Sequence, residues 1–185
     1  TLKISPGGNI EWSAIFLPPA YNQGMGLSIA KDNTGNIYTC GSLRRANGTN
    51  TIVVVKYSNS GQKLAESYYN KTANSSETPV SICIDNSGMV YIFAGSDAVN
   101  SQVDLLVLKY SPALTLLKER SISGNQQGND VPVKMILASD NKPVLIAAVN
   151  NQPGGLDYGI YKLDTSLISA FQIIFNGTGK NQDLR

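Results

Sequence analysis

Histidine is absent from this 185-residue sequence, and only two cysteines are present. The lack of histidine removes the side chain that most often serves as a general base and as a zinc ligand. Cys40 and Cys83 are too few for a disulfide framework. Both lie in apolar segments, so we expect buried free thiols. A bridge or a nucleophilic role is the alternative, although a cysteine nucleophile would have no histidine partner.

Charge and long apolar runs are also scarce. Charged residues make up 15% of the chain, and the net charge is +2. Because the basic residues are scattered, apart from the pair Arg44 and Arg45, we expect no nucleic-acid partner. No apolar run approaches the ~18 residues of a membrane-spanning helix. The hydrophobic content of 42% instead indicates a globular protein with a core.

A spacing of 53 residues recurs along the chain. It relates Lys3, Lys56, Lys109 and Lys162, and it places the stretch IAKDNTGNIYTCGS over ICIDNSGMVYIFAGS. A third copy, MILASDNKPVLIAAV, keeps the apolar runs but loses the turn glycine. The spacing predicts a structural repeat of about 50 residues.

Each unit divides into four predicted strands separated by Gly, Asn and Pro. The third strand, as in TIVVVKY and DLLVLKY, does not alternate, so both of its faces should be buried. A β-solenoid usually has shorter rungs, and an immunoglobulin-type sandwich would not explain the repetition. Four antiparallel strands per unit instead predict an all-β fold of β-propeller blades, about three and a half in this chain.

The units resemble the bacterial β-propeller repeat family known as SBBP. The resemblance rests on DNTGNIYTCG, DLLVLKY, GGNIEW and FNGTGKNQD, and it covers nearly the whole chain. Thr51 departs from it, because Asp104 and Asp157 occupy the corresponding positions. The resemblance implies an exported bacterial protein, extracellular or at the cell surface, that carries many blades beside other domains.

The predicted boundaries follow the spacing. Residues 1–26 end a preceding blade, residues 27–79, 80–132 and 133–185 form three blades, and the last includes the start of a further loop. Because an open arc would expose apolar blade faces, we expect either a fragment of a longer chain or two copies that close one ring. The fragment is the favoured interpretation. The partners are then the remaining blades of the same chain or a second copy.

Two recurring acidic motifs are candidate sites for a metal ion or another ligand. Residues 32–35 and 85–88 read Asp-Asn-x-Gly, which suggests either calcium or a hairpin turn, and the loop is too short to supply six oxygens. We therefore predict a turn, with the aspartate capping backbone N–H groups and the glycine at positive φ.

A second acid recurs at Glu77, Asp130 and Asp183. It would bind a cation or basic ligand, or satisfy backbone donors where a strand begins; the second interpretation is preferred.

The predicted function is a non-enzymatic scaffold or binding module, with no cofactor, no metal and no catalytic residue. The alternative is a glycan hydrolase or lyase that uses carboxylates.

Two kinds of connection are predicted to be long and to share one face. They lie between second and third strands, at residues 42–50, 96–103 and 150–156, and between blades, at residues 18–26, 71–78 and 124–131. We expect a protein or glycan ligand on that face, or else merely tolerated length. The candidate binding residues are Tyr21, Arg44, Arg45, Glu77, Asp97 and Asp130.

Overall fold

A computed structural model describes residues 1–99, 102–124, 128–152 and 155–175 of the chain. All regular structure in these residues is β, and none of them is helical. The strands are β1 (Leu2–Ile4), β2 (Ile10–Ser13), β3 (Gln23–Lys31), β4 (Ile37–Arg44), β5 (Asn50–Tyr57), β6 (Lys63–Tyr69), β7 (Glu77–Ile84), β8 (Val90–Val99), β9 (Gln102–Tyr110), β10 (Leu116–Ile122), β11 (Val131–Leu137), β12 (Pro143–Gln152), β13 (Gly155–Leu163) and β14 (Ser169–Phe175). The described residues accordingly contain no helix that is long and apolar enough to cross a membrane.

The strands form four antiparallel sheets in which chain neighbours are also sheet neighbours. β1 and β2 pair alone, and three four-stranded sheets follow in the orders β3-β4-β5-β6, β7-β8-β9-β10 and β11-β12-β13-β14. The prediction of an all-β chain with four-stranded antiparallel units is therefore confirmed for the described residues. Such up-and-down order needs only short local connections.

The hairpin turns between first and second strands follow the predicted chemistry. Asp32 Oδ1 accepts hydrogen bonds from the backbone N–H groups of Thr34 and Asn36, both at 2.9 Å, and Gly35 has φ 89°. Asp85 does the same for Ser87 and Met89, at 2.8 and 2.9 Å. The turn interpretation of both motifs is confirmed.

The third hairpin reaches the same shape with other residues. Asn141, with φ 60°, occupies the place of the turn glycine, and Ala138 occupies the place of the aspartate. The backbone N–H of Asn141 donates to the Ala138 carbonyl at 2.9 Å. Asparagine tolerates the left-handed region better than most residues, which explains how the turn persists without glycine.

The core lies between the sheets rather than within one of them. One cluster joins Tyr38, Cys40, Ile52 and Val54 of the first four-stranded sheet to the second sheet. Another joins the opposite face of the second sheet to the third. Consistent with this stacking, the consecutive residues 52–55 of β5 and 105–108 of β9 are all buried. The prediction of third strands buried on both faces is confirmed there.

The first strands of the three larger sheets lie side by side. Ser28 Oγ on β3 accepts a hydrogen bond from the backbone N–H of Ile82 on β7 at 3.3 Å. Ser81 Oγ on β7 donates to the Met135 carbonyl on β11 at 3.1 Å. β7 therefore lies between β3 and β11, with the fourth strands at the other edge of each sheet.

The connections between second and third strands are shorter than predicted. β4 runs to Arg44 and β5 begins at Asn50, so only a turn at residues 45–49 joins them, closed by Arg45 N–H to the Thr49 carbonyl at 2.8 Å. β8 and β12 likewise extend to Val99 and Gln152. The prediction of long loops here is wrong, because polar residues at these positions continue the antiparallel pairing beyond the apolar core. β3 also begins at Gln23, inside the predicted loop 18–26.

Candidate functional site

The recurring acids Glu77 and Asp130 are buried, with exposed fractions of 0% and 2%. Glu77 accepts hydrogen bonds from Asn70 Nδ2 at 2.9 Å, from Ser96 Oγ at 3.2 Å and from the backbone N–H of Lys71 at 3.3 Å. The Glu77 carboxylate therefore holds the start of a first strand to the segment that precedes it.

Among the described residues, Asp130 makes an equivalent set of hydrogen bonds, with backbone N–H groups as the donors. Its Oδ2 accepts from Gly124 N–H at 2.9 Å, and its Oδ1 accepts from Asn150 N–H at 2.8 Å. The preferred interpretation, an acid that satisfies backbone donors, is confirmed for both residues. The third acid, Asp183, lies outside the described residues.

Burial raises the pKa of Asp130, and the negative charge of Asp104 raises it further, while the hydrogen bonds from Asn150 and Gly124 offset part of the effect. Burial also raises the pKa of Asp104, against the opposing charge of Lys71. Asp104 lies on β9 and Asp130 directly precedes β11, so the interaction joins the second sheet to the start of the third.

In the first four-stranded sheet, apolar contacts take the place of these carboxylate hydrogen bonds. Gly24 stands 53 residues before Glu77, and Leu17 and Leu43 stand at the positions that correspond to Asn70 and Ser96. A Cβ on Gly24 would meet Leu43 Cδ2 at 2.9 Å and Leu17 Cδ1 at 3.5 Å. The carboxylate with its hydrogen-bond donors and the leucine side chains beside Gly24 therefore occupy equivalent positions in different sheets. This equivalence supports a structural role for the acids.

Three of the predicted site residues converge on the connection between β6 and β7, residues 70–76. Arg45 donates to the Ala73 carbonyl at 2.8 Å and to the Ser75 carbonyl, while Asp97 Oδ1 accepts from Ser76 N–H at 2.5 Å. Glu77 binds the other end of the same segment. Together these contacts fix the connection against the strands on either side of it.

Tyr21 lies apart from that cluster. Its ring stacks on Tyr68 of β6, with centroids 6.0 Å apart and an interplanar angle of 5°. It also packs against the apolar cluster of Leu43, Val53 and Val55. Tyr21 therefore closes the face of the first four-stranded sheet, away from Asp97 and Asp130.

Arg44 is exposed and lines an open cleft of about 420 Å³. The remaining lining residues are Gln23, Gly24, Met25, Ser42 and Asn50. A second cavity of about 420 Å³ adjoins it, since Gly24, Met25 and Ser42 line both. The cleft combines one guanidinium, two amides and a thioether. That set can hydrogen-bond an anionic group while an apolar part packs on Met25.

Both cysteines are free, and they differ in burial. Cys40 is buried as predicted, and burial raises the pKa of its thiol to about 12. Cys83 is only half-buried, so the prediction of full burial is wrong for it. The Cys83 side chain lies on the first strand β7, where it donates to the Met135 carbonyl at 3.4 Å, and burial raises the pKa of its thiol too. Neither thiol is activated as a nucleophile.

The recurring lysines connect one sheet to the next. The ammonium groups of Lys3, Lys56 and Lys109 donate to backbone carbonyls 56 residues further on, those of Asn59, Pro112 and Thr165, at 3.5, 3.0 and 2.7 Å. The sequence analysis used these lysines only to define the repeat and did not identify this partner. The constant spacing of the lysines was the available signal, because a carbonyl in each following turn lies at the same offset.

The described residues contain no group of three or more histidine, cysteine, aspartate or glutamate side chains arranged to hold a metal ion. No protein-family model matches the chain, and no curated protein matches it at a significant level. The resemblance to the SBBP family stays a prediction.

Proposed function

We propose that this chain is a β-propeller scaffold of a larger exported bacterial protein and that it binds a ligand without catalysing a reaction. The stacked four-stranded sheets support the propeller arrangement, because each sheet covers a face of the next and the first strands lie side by side. The export and surface location follow from the resemblance to SBBP repeats. Further blades, or a second copy, are the structural partners.

The cleft at Arg44 is the proposed ligand site, and the single observation that carries it is the exposed guanidinium between Gln23 and Asn50. It lies at the end of the first four-stranded sheet where the turns between second and third strands are found. The ligand class is an anionic glycan, since a guanidinium binds carboxylate or sulfate groups in a bidentate manner and the two amides suit hydroxyl groups.

The residues that hydrogen-bond to the segment 70–76 keep that segment in place for this site. Arg45, Glu77 and Asp97 hold residues 70–76 by hydrogen bonds to the main chain and to neighbouring side chains. A fixed loop loses less conformational entropy when a ligand binds than a mobile loop does. We therefore assign these three residues, with Asp130, a positioning role rather than direct contact with the ligand.

A glycan array that includes uronic-acid and sulfated glycans tests the proposal, with the Arg44→Glu variant beside the wild type. We expect binding of anionic glycans by the wild type and a loss of about tenfold or more in the variant, because one charge-assisted contact is reversed. Lys31→Glu is the matched control, because it makes the same charge change at the end of β3 that lies away from the cleft. Equal losses in both variants, or no anionic glycan bound at all, would contradict the site.

A carboxylate-based glycan hydrolase is the second candidate, and the interacting pair Asp104 and Asp130 favours it. Raised pKa values are typical of general acids. The buried Asp130, however, already uses both oxygens on backbone donors. A panel of glycan substrates separates the candidates, since turnover that is abolished by Asp104→Asn while the fold is retained would replace the binding proposal.

A further inference from the structure

The turn between β4 and β5 contains an asparagine that is followed directly by glycine, Asn47 and Gly48, and both residues are exposed. In such a pair the main-chain nitrogen of the glycine attacks the carbonyl carbon of the asparagine side chain readily, because glycine has no Cβ to obstruct the approach. Loss of the side-chain amide in this way is one reason why asparagine is a thermolabile residue. The sequence has the same pair again at Asn176 and Gly177, which lie outside the described residues.

Thr49 holds the Asn47 side chain in a reactive arrangement. Its backbone N–H and its hydroxyl both donate to Asn47 Oδ1, at 3.1 and 2.7 Å. Since these bonds join Oδ1 to the residue that follows Gly48, the side-chain carbonyl group is folded back toward the Gly48 peptide. The same two donors face the oxygen that becomes negatively charged when the Gly48 nitrogen attacks, as the donors of an oxyanion hole do.

The reaction needs water as its only co-reactant. The Gly48 nitrogen, whose N–H donates to the Arg45 carbonyl at 3.0 Å before the attack, forms a bond to Asn47 Cγ. The proton that it loses passes through solvent to the side-chain nitrogen, which leaves as ammonia, and a cyclic imide remains. Water then adds to either carbonyl of the imide and opens the ring to aspartate or isoaspartate. Both products carry a carboxylate in place of the neutral amide.

Arg44 lies beside the position of that carboxylate. A Cβ placed on Gly48 would be 3.7 Å from Arg44 Nη2, so the guanidinium reaches the turn from the end of β4. Asn47 directly precedes Gly48, which brings a carboxylate at position 47 into the range in which exposed opposite charges attract each other. The guanidinium of Arg45, by contrast, already binds main-chain carbonyl groups of residues 70–76.

We propose that Asn47 is a site of spontaneous deamidation and that the carboxylate formed there pairs with Arg44. The pairing lowers the affinity of the Arg44 cleft for an anionic glycan, so that a molecule binds more weakly as it ages. This effect on affinity rests on the glycan site proposed above. The deamidation and the pairing with Arg44 do not depend on it.

Incubation of the full chain in water labelled with heavy oxygen, followed by mass spectrometry of its peptides, tests the reaction. We expect a heavy oxygen atom at Asn47 sooner than at Asn59 and Asn86, which are exposed turn asparagines followed by serine. Thr49→Val removes the hydroxyl donor, keeps the backbone donor and should slow the reaction about tenfold. A rate at Asn47 no higher than at Asn86, or unchanged in Thr49→Val, overturns the site.

The pairing with Arg44 is measured without any glycan. Phenylglyoxal modifies guanidinium groups, and the rate at Arg44 is followed by mass spectrometry in Asn47→Asp, which carries the product charge, and in Asn47→Gln, which keeps a neutral amide. We expect a rate about two- to fivefold lower in Asn47→Asp, because the carboxylate stabilises the protonated guanidinium. Asn86→Asp is the matched control, since it makes the same change in the turn between β7 and β8, at the other end of the strands. Equal rates in Asn47→Asp and Asn47→Gln overturn the pairing.

The effect on affinity is measured with a heparin oligosaccharide, which carries both sulfate and uronic-acid groups. We expect Asn47→Asp to bind it about two- to fivefold more weakly than Asn47→Gln, and Asn86→Asp to bind it as the wild type does. Equal affinities of the two position-47 variants overturn the effect of deamidation and leave the glycan site standing. Absence of binding by the wild type overturns the glycan site and this effect together, while the labelling and phenylglyoxal measurements still decide the deamidation and the pairing.

Discussion

Asp32 illustrates how one side chain organises a turn. Besides the two backbone N–H groups, it accepts hydrogen bonds from Thr34 Oγ1 at 2.7 Å and from Asn36 Nδ2 at 2.9 Å. Burial alone would raise the pKa of this carboxyl group, but the hydrogen bonds outweigh burial and lower the pKa to about 2. The ionised form is therefore the one that the folded turn stabilises.

This lowered pKa predicts a loss of stability in acid. The stabilisation is complete above the unfolded-state pKa of about 4 and disappears as the pH falls through about 2. Asp32→Asn should lower the free energy of unfolding by about 1–2 kcal/mol at pH 6 and flatten its decline between pH 5 and pH 2. Urea unfolding at several pH values measures both effects.

Thr34→Val provides a graded control, because it removes one hydroxyl donor and keeps the backbone donors. It should give an intermediate acid dependence. If Asp32→Asn and the wild type declined in parallel between pH 5 and pH 2, the carboxylate would not contribute as described.

At the scale of elements, the lysine contacts between sheets carry the next prediction. Lys56→Met keeps most of the aliphatic stem but removes the hydrogen bond to the Pro112 carbonyl and the contact with the Tyr38 ring. We expect a loss of about 1 kcal/mol in the free energy of unfolding, measured by urea titration.

Lys162→Met is the matched control. The Lys162 ammonium binds Asp140 at 2.9 Å within its own sheet instead of a carbonyl in another sheet. An exposed ion pair contributes little, so this change should cost less than about 0.5 kcal/mol. Equal losses in the two variants would mean that the contact between sheets adds nothing beyond an ordinary surface pair.

At the scale of the whole molecule, the stacking of sheets predicts unequal protection. The sheet β7-β10 has apolar clusters on both faces, whereas β1 and β2 expose Leu2, Ile4 and Ile10. Hydrogen exchange followed by mass spectrometry should show amides of β8 and β9 exchanging at least ~100-fold more slowly than those of β1 and β2. Uniform protection along the chain would instead indicate a single cooperative unit.

The sequence predicted those features that depend on neighbouring residues. The Asp-Asn-x-Gly turns and the doubly buried run at residues 52–55 follow from local chemistry and from the absence of alternation. The long loops were mispredicted because Ser42 and Arg44 are polar, and their strand pairing is set by the partner strand.

The candidate site was predictable only in part, because its contacts cross between sheets. Arg45, Glu77 and Asp97 were selected as candidate binding residues, but their partners in residues 70–76 are known only once the sheets are folded. Nothing in the local sequence at Gly24 indicates a cleft, because the other walls, at Ser42, Arg44 and Asn50, come from β4 and β5. Tertiary packing decides such features.

The carbonyl acceptors of the recurring lysines bear on how such a chain can change through gene recombination. Loss of one 53-residue period, for example residues 54–106, would remove Asn59 and bring the carbonyl of Pro112 to the offset from Lys3 that Asn59 has now. A main-chain acceptor is supplied by any residue, so the new junction requires no compensating mutation in the acceptor. Unequal crossing-over can therefore shorten or lengthen the array in whole periods while each junction keeps the same bond.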